Sequence, residues 1–343
     1  MGVVLIASDR FADHIMPPGH PERAERAAVM QSVADWWREQ GGLLAAPRMA
    51  ARRELERVHV PEHVDSVAGS AGRTVAFDPD TYASPATYEV ALLAAGAAVL
   101  GVETVVAADS AGTTRAFALV RPPGHHAGPS RAMGFCLFNN VAVAAAHALS
   151  LGVERVAIVD YDVHHGNGTQ WAFYEDPRVL VVSLHQYPFY PGTGAAGEAG
   201  AGTGEGFTVN VPLEAGATDG DYELVFRAVV LPVVREFAPQ LVLVSAGFDA
   251  HERDPLGGMR LTTGAFAAFA TWLCELADVS ALGRIVLVTE GGYDLVAFGA
   301  CLQATLRALA GEGTSAAPSS PTERGLMAVE LVRAAQKRYW RGL

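Results

Sequence analysis

Two short motifs in this 343-residue chain carry side chains that could hold one metal ion. They are Asp160-Tyr-Asp-Val-His-His165 and Ser245-Ala-Gly-Phe-Asp-Ala-His251, and each follows a short apolar, β-branched run. Because residues two apart on a strand point to one face, Asp162 and His164 are expected to converge on one ion. With Asp249 they offer two carboxylates and an imidazole, a set that suits Zn²⁺ with one coordination position open for chemistry. The pattern favours a metallohydrolase.

A simpler interpretation exists for each residue alone. An Asp or His after a strand is more often a helix cap or a solvated loop residue than a ligand. The occurrence of both motifs in one chain weakens that interpretation, so we predict Asp162, His164 and Asp249 as the metal ligands.

Adjacent histidines supply a candidate base. His125-His126 follows Pro122-Pro-Gly124, which predicts a tight turn, although two such histidines could also be surface residues. Beside a metal-activated water, a neutral imidazole is the expected general base near pH 7. Asp160 and Asn167 could orient the two rings: an Asp partner raises the pKa of its imidazole, and an Asn partner leaves the other closer to neutral. We therefore expect distinct roles for the two histidines.

Tyr293 is the candidate group for binding a carbonyl. In Glu290-Gly-Gly-Tyr293 the glycines permit an unusual backbone path that could turn the phenol toward the metal, where it would stabilise an oxyanion. The alternative is a half-buried core tyrosine.

Two other features are predicted to carry no catalytic chemistry. Gly192-Thr-Gly-Ala-Ala-Gly197 matches the dinucleotide pattern GxGxxG, but it opens no clear helix, so we reject that function. Cys136 has no base partner in the sequence pattern and is interpreted as a packing residue near the site.

The elements that must position these residues alternate between strand-length apolar runs and helical patterns, which predicts an α/β fold with a mostly parallel central sheet flanked by helices. The predicted strands are Val3–Ala7, Ala116–Val120, Val156–Val159, Val179–Leu184, Leu241–Ser245 and Ile285–Thr289. The predicted helices are Ala86–Val105, Asn140–Leu151, Asp219–Phe237, Thr263–Leu276 and Leu295–Leu309. Five polar clusters begin where strands are predicted to end, which in a parallel sheet places them in one site.

Two segments lack regular periodicity. Pro188–Gly206 is predicted to be a long loop, and Gly311–Arg324 a Gly/Ser/Pro-rich connector to a final helix at about Leu326–Trp340. Neither separates two sets of strands, so we expect a single domain over residues 1–343.

Composition narrows the function classes. Half of the residues are hydrophobic, the net charge is −12 and Lys337 is the only lysine, so we expect a compact enzyme that does not bind nucleic acid directly. Cys136, Cys274 and Cys301 form no CxxC pattern and indicate a reducing compartment. We see no signal segment and no apolar run long enough to span a membrane, and we predict a cytoplasmic protein. A homo-oligomer is compatible with the sequence.

Taken together, these residues resemble the histone deacetylase superfamily, in its class II-like branch of bacterial deacetylase-like amidohydrolases and acetylpolyamine amidohydrolases. The resemblance covers nearly the whole chain. It is carried by His20-Pro-Glu-Arg23, Arg121–Gly128, Gly134-Phe-Cys-Leu-Phe-Asn-Asn140, Asp160–Gln170, Pro191-Gly-Thr-Gly194, Asn210-Val-Pro-Leu213, Ser245–Gly258, Glu290–Leu295 and Gln336–Trp340.

The resemblance implies the arginase-deacetylase fold and one catalytic Zn²⁺ held by Asp162, His164 and Asp249. It implies that His126, paired with Asn167, is the general base and then the acid, that His125, paired with Asp160, is an electrostatic partner, and that Tyr293 binds the substrate carbonyl. It also implies a structural monovalent cation, usually K⁺. The residues around that cation would be Asp160, Asp162, His164, Ser183 and Leu184.

The resemblance also bears on metal number and substrate. Gly166 and His251 stand where the related arginases need carboxylates for a second metal, so one ion is expected. Gly134, Phe135 and Tyr190 would line an acyl-lysine tunnel, and Leu256 stands where some relatives carry a polyamine-selecting Glu. We therefore expect removal of acetyl or related acyl groups from acyl-lysine side chains. The alternatives are deacetylation of acetylpolyamines or other small acylamides, for which Asp78 and Asp80 could supply charge at the rim, and a catalytically weak module that binds acylated ligands.

Overall fold

The computed structural model of the chain describes residues 2–107, 112–313 and 319–343. Its strands are β1 (Val3–Ile6), β2 (Leu43–Ala45), β3 (Val75–Ala76), β4 (Tyr82–Ala83), β5 (Arg115–Ala118), β6 (Val156–Asp160), β7 (Val179–Gln186), β8 (Thr208–Leu213), β9 (Leu241–Ala246) and β10 (Ile285–Thr289). Eight of them form one sheet in the order β2-β1-β5-β10-β9-β6-β7-β8, and every pairing in it is parallel. β3 and β4 form a separate antiparallel pair.

Helices cover the sheet. They are α1 (Glu25–Glu39), α2 (Arg52–Leu55), α3 (Pro61–Ala68), α4 (Thr87–Ala107), α5 (Asn140–Ser150), α6 (Asn167–Phe173), α7 (Asp219–Val225), α8 (Leu231–Phe237), α9 (Thr263–Ser280), α10 (Leu295–Leu309) and α11 (Glu323–Gln336). Every residue of the six strands from β5 to β10 is buried. Since successive strand residues point to opposite faces, both faces of the sheet are covered, as a parallel sheet requires. The α/β prediction is confirmed.

The predicted elements differ from the observed ones mainly at the sheet edges. β2 and β8, the two edge strands, were not predicted. β8 contains Asn210 and Pro212, which interrupt its apolar run, and proline is tolerated there because the strand lies at an edge. The helix predicted over Asp219–Phe237 is present as α7 and α8, joined by a π-helical turn at Phe226–Val230. The final helix begins at Glu323, three residues before its predicted start, and residues 314–318 of the predicted connector lie outside the described residues.

α4 corrects the expectation that no apolar run could span a membrane. By length and composition alone its 21 residues pass that test. Two-thirds of its most apolar stretch is buried within the fold, where it contacts α5, β5 and β10. An evenly apolar helix of this kind is typical of a protein core as well.

The carboxyl ends of the central strands meet at one edge. Asp160 at the end of β6 lies in register with Ser183 of β7 on one side and Ser245 of β9 on the other. Asp162 and His164 lie beyond the end of β6, so the strand alternation that we used to predict their convergence was wrong as a reason. Ser183 lies within β7, as the predicted strand Val179–Leu184 implied, and this strand continues to Gln186.

Candidate metal centre and active site

Asp162, His164 and Asp249 converge as a potential ligand group. One potential ligand atom from each lies within 4.8 Å of the others. His164 Nδ1 is 3.1 Å from Asp162 Oδ1 and 3.2 Å from Asp249 Oδ2. Backbone amides fix the carboxylates, because Gly291 donates to Asp162 Oδ2 (2.8 Å) and Val163 donates to Asp249 Oδ1 (2.9 Å). The chain thus builds the group from the ends of β6 and β9.

The charges of this group fit a divalent cation. Both carboxylates are buried, and Asp249 Oδ2 accepts no hydrogen bond from any described residue. Burial and the neighbouring Asp162 charge raise the pKa of Asp249 to about 7. Although burial opposes it, the same two carboxylates raise the pKa of His164 to about 9, so a proton occupies this position when no metal does. A metal would replace that proton and neutralise two crowded carboxylates.

Each of the adjacent histidines has a different partner. His125 Nδ1 is 3.0 Å from Asp160 Oδ2, and His126 Nδ1 is 2.7 Å from Asn167 Oδ1. Burial works against the charged form of both rings. For His125 the carboxylates of Asp162, Asp160 and Glu290 outweigh burial and raise its pKa well above the usual value. For His126, burial and the charges of His125 and His164 lower the pKa well below it.

Glu290 supports the turn that carries these histidines. Its carboxylate is fully buried and accepts hydrogen bonds from the backbone amides of Gly124 (2.6 Å) and His125 (3.1 Å) and from Ser245 Oγ (3.0 Å). Burial raises the pKa of Glu290 to about 7, against the opposing charge of His125. From the sequence, Glu290 was recognised only as part of a motif, so its support of this turn was not predicted.

A cavity of about 220 Å³ opens above the ligand group. Eight of the residues predicted for the site line it: His125, His126, Gly134, Phe135, His164, Tyr190, Leu256 and Tyr293. Asp160, Asp162, Asn167 and Asp249 lie buried behind this lining. Asp80 also lines the cavity, whereas its neighbour Asp78 does not and instead accepts a hydrogen bond from the Asp80 amide (3.0 Å).

Two aromatic residues form one side of this cavity, where one was predicted. Tyr190 meets His126 edge-on with ring centroids 5.2 Å apart. Phe189, which was not predicted from the sequence, stacks on His164 with ring centroids 5.4 Å apart. Its position immediately before Tyr190 was the available signal.

Gly134 lies against the His126 ring. Its φ is +57°, and a Cβ on it would lie 2.5 Å from His126 Cδ2. Phe135 follows with φ 68°, and its ring meets Tyr293 edge-on at 6.0 Å. Only glycine fits at position 134, because a side chain there would displace the His126 ring.

Tyr293 is almost fully buried, and burial raises the pKa of its phenol well above the usual range, so it stays protonated at neutral pH. The Arg26 guanidinium lies 5.1 Å from its ring centroid. Arg26 also donates to the backbone carbonyls of Gly292 (2.8 Å) and Glu290 (2.6 Å). The segment that leads to Tyr293 is thus held by a residue far away in the sequence.

The two positions that bear on a second metal offer no carboxylate. A Cβ on Gly166 would lie 2.2 Å from Asp160 Oδ2, which leaves no room for a side chain. His251 stacks on Phe266 and lies 3.3 Å from Thr263 Oγ1. Cys136 is buried, and burial raises the pKa of its thiol well above the usual value, so it is a poor nucleophile.

A second group of potential ligands, Glu54, Glu103 and His147, has a different explanation. Arg48 bonds both carboxylates, with Nη2 2.7 Å from Glu54 Oε1 and 2.8 Å from Glu103 Oε1. The guanidinium therefore already bridges the two carboxylates, and the group is explained as an ion-pair cluster.

The chain matches the family model "Histone deacetylase domain" over residues 20–309. It is 40% identical to a "Probable deacetylase" of Archaeoglobus fulgidus, over 85% of this chain and 81% of that protein. It is 41% identical to histone deacetylase 15 of Arabidopsis thaliana, over 94% of this chain and 59% of the relative. It is also 40% identical to the human "Polyamine deacetylase HDAC10", over 100% of this chain and 53% of the relative.

The fold agrees with these matches. The crystal structure of the HDA15 HD domain superposes with a TM-score of 0.92 at 39% identity, covering 99% of this chain and 95% of that one. The chain spans little more than half the length of the plant and human proteins but most of the archaeal one. The resemblance stated from the motifs is confirmed: the chain belongs to the histone deacetylase family of hydrolytic deacetylases.

Proposed function

We propose that this chain is a single zinc-dependent catalytic domain that removes acetyl or related acyl groups from acylated amines, with acyl-lysine side chains as the favoured substrates. The observation that carries the proposal is the buried group of Asp162, His164 and Asp249 at the base of a narrow cavity, beside two histidines with opposite pKa shifts.

The metal is held by Asp162, His164 and Asp249 in this proposal. Zinc, when bound, supplies Lewis acidity that polarises the substrate carbonyl and lowers the pKa of a water. The open side of the ligand group faces the cavity, because His164 is both a lining residue and a member of the group. The crowding at Gly166 supports one catalytic ion.

Proton transfer is assigned to His126. Its Nδ1 faces the Asn167 amide oxygen, which only accepts, so Nδ1 carries the proton and Nε2 is free to act as a base. Nε2 takes the proton of the attacking water and returns a proton to the departing amine. His125, held charged by Asp160, Asp162 and Glu290, provides positive charge nearby and keeps the His126 pKa low.

Tyr293 donates a hydrogen bond to the substrate carbonyl oxygen and stabilises the charge that develops there. Its protonated, buried phenol and its place in the cavity lining support this role. Phe135 and Tyr190 form the walls that exclude water from the acyl-lysine stem. Gly134 lies beside Phe135 and next to the His126 ring.

Leu256 supports acyl-lysine over polyamine, because an apolar residue in the lining gives no anchor for a second ammonium group. The competing observation is Asp80, a carboxylate at the same cavity, which would favour a substrate with a second positive charge. Acetylpolyamines are therefore the alternative substrate class.

Further assignments accompany this proposal. Asp160, Asp162, His164, Ser183 and Leu184 surround a structural K⁺, which the buried carboxylate of Asp160 beside Ser183 supports. A rise in melting temperature with K⁺ but not with Na⁺ would test the cation assignment.

The three buried free cysteines support a cytoplasmic location.

The test is a parallel assay of acetyl-lysine peptides, longer acyl-lysine peptides and acetylpolyamines, with purified protein before and after chelation and after zinc is restored. We expect turnover of acyl-lysine that chelation removes and zinc restores. Turnover of acetylpolyamines alone would overturn the substrate assignment. A fully zinc-loaded protein that binds these ligands without turning them over would overturn the enzyme assignment in favour of a binding module.

A further inference from the structure

The glycine-rich segment rejected as a dinucleotide motif lies in the loop that carries two cavity walls. We name Tyr187–Glu198 the tunnel loop; it follows β7, and its residues Phe189 and Tyr190 line the cavity. Gly192–Gly197 has no helix of its own, so its position must be fixed by contacts with the rest of the fold.

Glu198 fixes the loop from its own end. Its Oε1 accepts hydrogen bonds from the backbone amides of Gly194 (3.0 Å) and Ala195 (3.1 Å). Its Oε2 accepts a hydrogen bond from Gln170 Nε2 (2.7 Å), on α6. One carboxylate therefore closes the loop on itself and ties it to a helix.

Gln170 also contacts His165, in the motif that carries the proposed metal ligands. Its Oε1 lies 2.7 Å from Asn210 Nδ2, a donor, and 3.0 Å from His165 Nε2. Because that amide oxygen only accepts, His165 Nε2 carries a proton, and the Nδ1 of the neutral ring accepts from Thr193 Oγ1 at 2.8 Å. His165 follows His164 in the sequence, so this network ties the tunnel loop to the segment that carries a proposed metal ligand.

A second contact holds the same turn. Gly194 packs between two imidazoles: a Cβ on it would lie 2.3 Å from His185 Nε2 and 2.7 Å from His165 Cγ, and its φ is +96°. The Gly194 carbonyl accepts from His185 Nε2 at 2.9 Å. These contacts hold Gly194 in addition to its hydrogen bond with Glu198.

We propose that Glu198 and Gln170 are positioning residues that hold the Phe189–Tyr190 wall against the mouth of the cavity and so set the affinity for the acylated amine. The proposal rests on the proposed function. Neither side chain lines the cavity, so neither touches the substrate. Loss of either side chain would let the Phe189–Tyr190 wall move, while the ligand group, His125 and His126 would keep their own contacts.

Glu198→Gln tests whether the hydrogen bond from Gln170 to Glu198 positions the wall. Glutamine has the same shape as glutamate. If its side-chain oxygen accepts from Gly194 and Ala195, its NH₂ group faces the NH₂ group of Gln170, and two donors oppose each other. We expect KM to rise by roughly tenfold, which corresponds to one or two lost buried hydrogen bonds, while kcat changes far less and bound zinc is unchanged. Unchanged KM in the folded variant would overturn the proposal.

The double variant Glu198→Gln with Gln170→Glu is the matched rescue. In it, the new amide at position 198 donates to the new carboxylate at position 170. That carboxylate also accepts from His165 and Asn210, so every donor again meets an acceptor. We expect KM to return close to the wild-type value. A double variant that folds but keeps the raised KM would refute the positioning role. If Glu198→Gln does not fold, Glu198→Asp, which only withdraws the carboxylate, provides the single variant.

Hydrogen exchange gives a readout that needs no activity. In Glu198→Gln the contact with Gln170 is lost, so the loop should open more often and amide exchange at Gly194 and Ala195 should become faster even though the new side-chain oxygen still accepts from both amides. The double variant should restore protection, and unchanged exchange in Glu198→Gln would count against the network. Absence of wild-type turnover on every acylated amine would refute the proposed function instead, and the exchange data would still decide whether Glu198 fixes the loop.

Discussion

His126 Nδ1 lies 2.7 Å from Asn167 Oδ1, so this ring is paired with a neutral amide, while the neighbouring His125 ring is paired with the Asp160 carboxylate. The two rings are only 4.0 Å apart between centroids. Because two adjacent imidazoles do not both carry charge readily, the partner of each one decides which is protonated. The result is a charged His125 beside a neutral His126.

Replacing Asn167 with Asp should remove this asymmetry. The new carboxylate would stabilise the His126 imidazolium and raise the His126 pKa, so a base that must be neutral would become protonated at higher pH. We expect kcat/KM to fall at pH 7 and its acidic limb to move to higher pH. A pH profile of kcat/KM across the neutral range measures this, and an acidic limb that stays in place would argue against His126 as the base.

Tyr293→Phe should lower kcat by about 10²–10³-fold, the usual cost of removing one oxyanion donor. KM and bound zinc should change little, because the ring keeps its contacts with Phe135 and Arg26. Tyr222→Phe is the matched control: it removes a buried hydroxyl that bonds no described residue. Equal turnover in the two variants would remove the role assigned to Tyr293.

Gly134→Ala should impair catalysis through the position of His126. The added Cβ meets the ring at 2.5 Å, and the positive φ adds strain of about 1 kcal/mol or more. Gly197→Ala controls for the substitution itself, since a Cβ at 197 meets nothing within 4 Å. We expect a clear loss of kcat/KM only at 134, with zinc retained in both variants. Wild-type kinetics in Gly134→Ala would show that the wall yields without moving the base.

Metal-free protein should lose stability as the pH rises from about 3.8 to about 7. The folded-state pKa of Asp249 is about 7, above its ordinary value of 3.8, so folding favours the protonated carboxyl and this contribution disappears as the group ionises. Bound zinc neutralises the same carboxylate. The gain in melting temperature on adding zinc should therefore grow as the pH rises through about 7, and Asp249→Asn should reduce that growth. A zinc effect independent of pH would contradict this account.

The central strands and the ligand residues could be predicted from sequence for the same reason. Strands buried on both faces need uninterrupted apolar runs, and the polar residues that follow such runs stand out. β8 was not predicted because Asn210 and Pro212 interrupt its apolar run, which lies at the sheet edge. The convergence of Asp162 and His164 was predicted for the wrong geometric reason, since the two residues converge through a turn beyond β6.

The rest depends on contacts between residues that are distant in the sequence. Arg26 bonds the carbonyl of Gly292, 266 residues away, and Glu290 supports the turn that begins at Gly124. No periodicity or spacing encodes such pairs, because each half looks like an ordinary helical or strand-end residue. Phe189 was missed for a smaller reason, as the adjacent Tyr190 already satisfied the expected wall.

Glu22 offers the strongest stability prediction, because its fully buried carboxylate balances two buried guanidinium groups. Its Oε1 and Oε2 accept from Arg121 Nε (2.6 Å) and Nη2 (2.7 Å), and Oε1 also accepts from Arg26 Nη1 (2.9 Å). Burial would raise the pKa of Glu22, but the two arginines outweigh it and lower the pKa to about 2. This stabilising contribution is therefore present at neutral pH and lost only as the pH falls toward 2.

Glu22→Gln keeps the side-chain shape but leaves the two cations without a buried anion. We expect the free energy of unfolding to fall by about 3–5 kcal/mol, the usual cost of breaking a buried ion pair. The exposed pair of Glu89 and Arg10 is the control, and Glu89→Gln should cost less than about 1 kcal/mol. Urea unfolding at pH 7 compares the two. Since Arg26 also lies over the Tyr293 ring, Glu22→Gln should lower kcat as well. Similar losses of stability in Glu22→Gln and Glu89→Gln would mean that burial adds nothing to the Glu22 network.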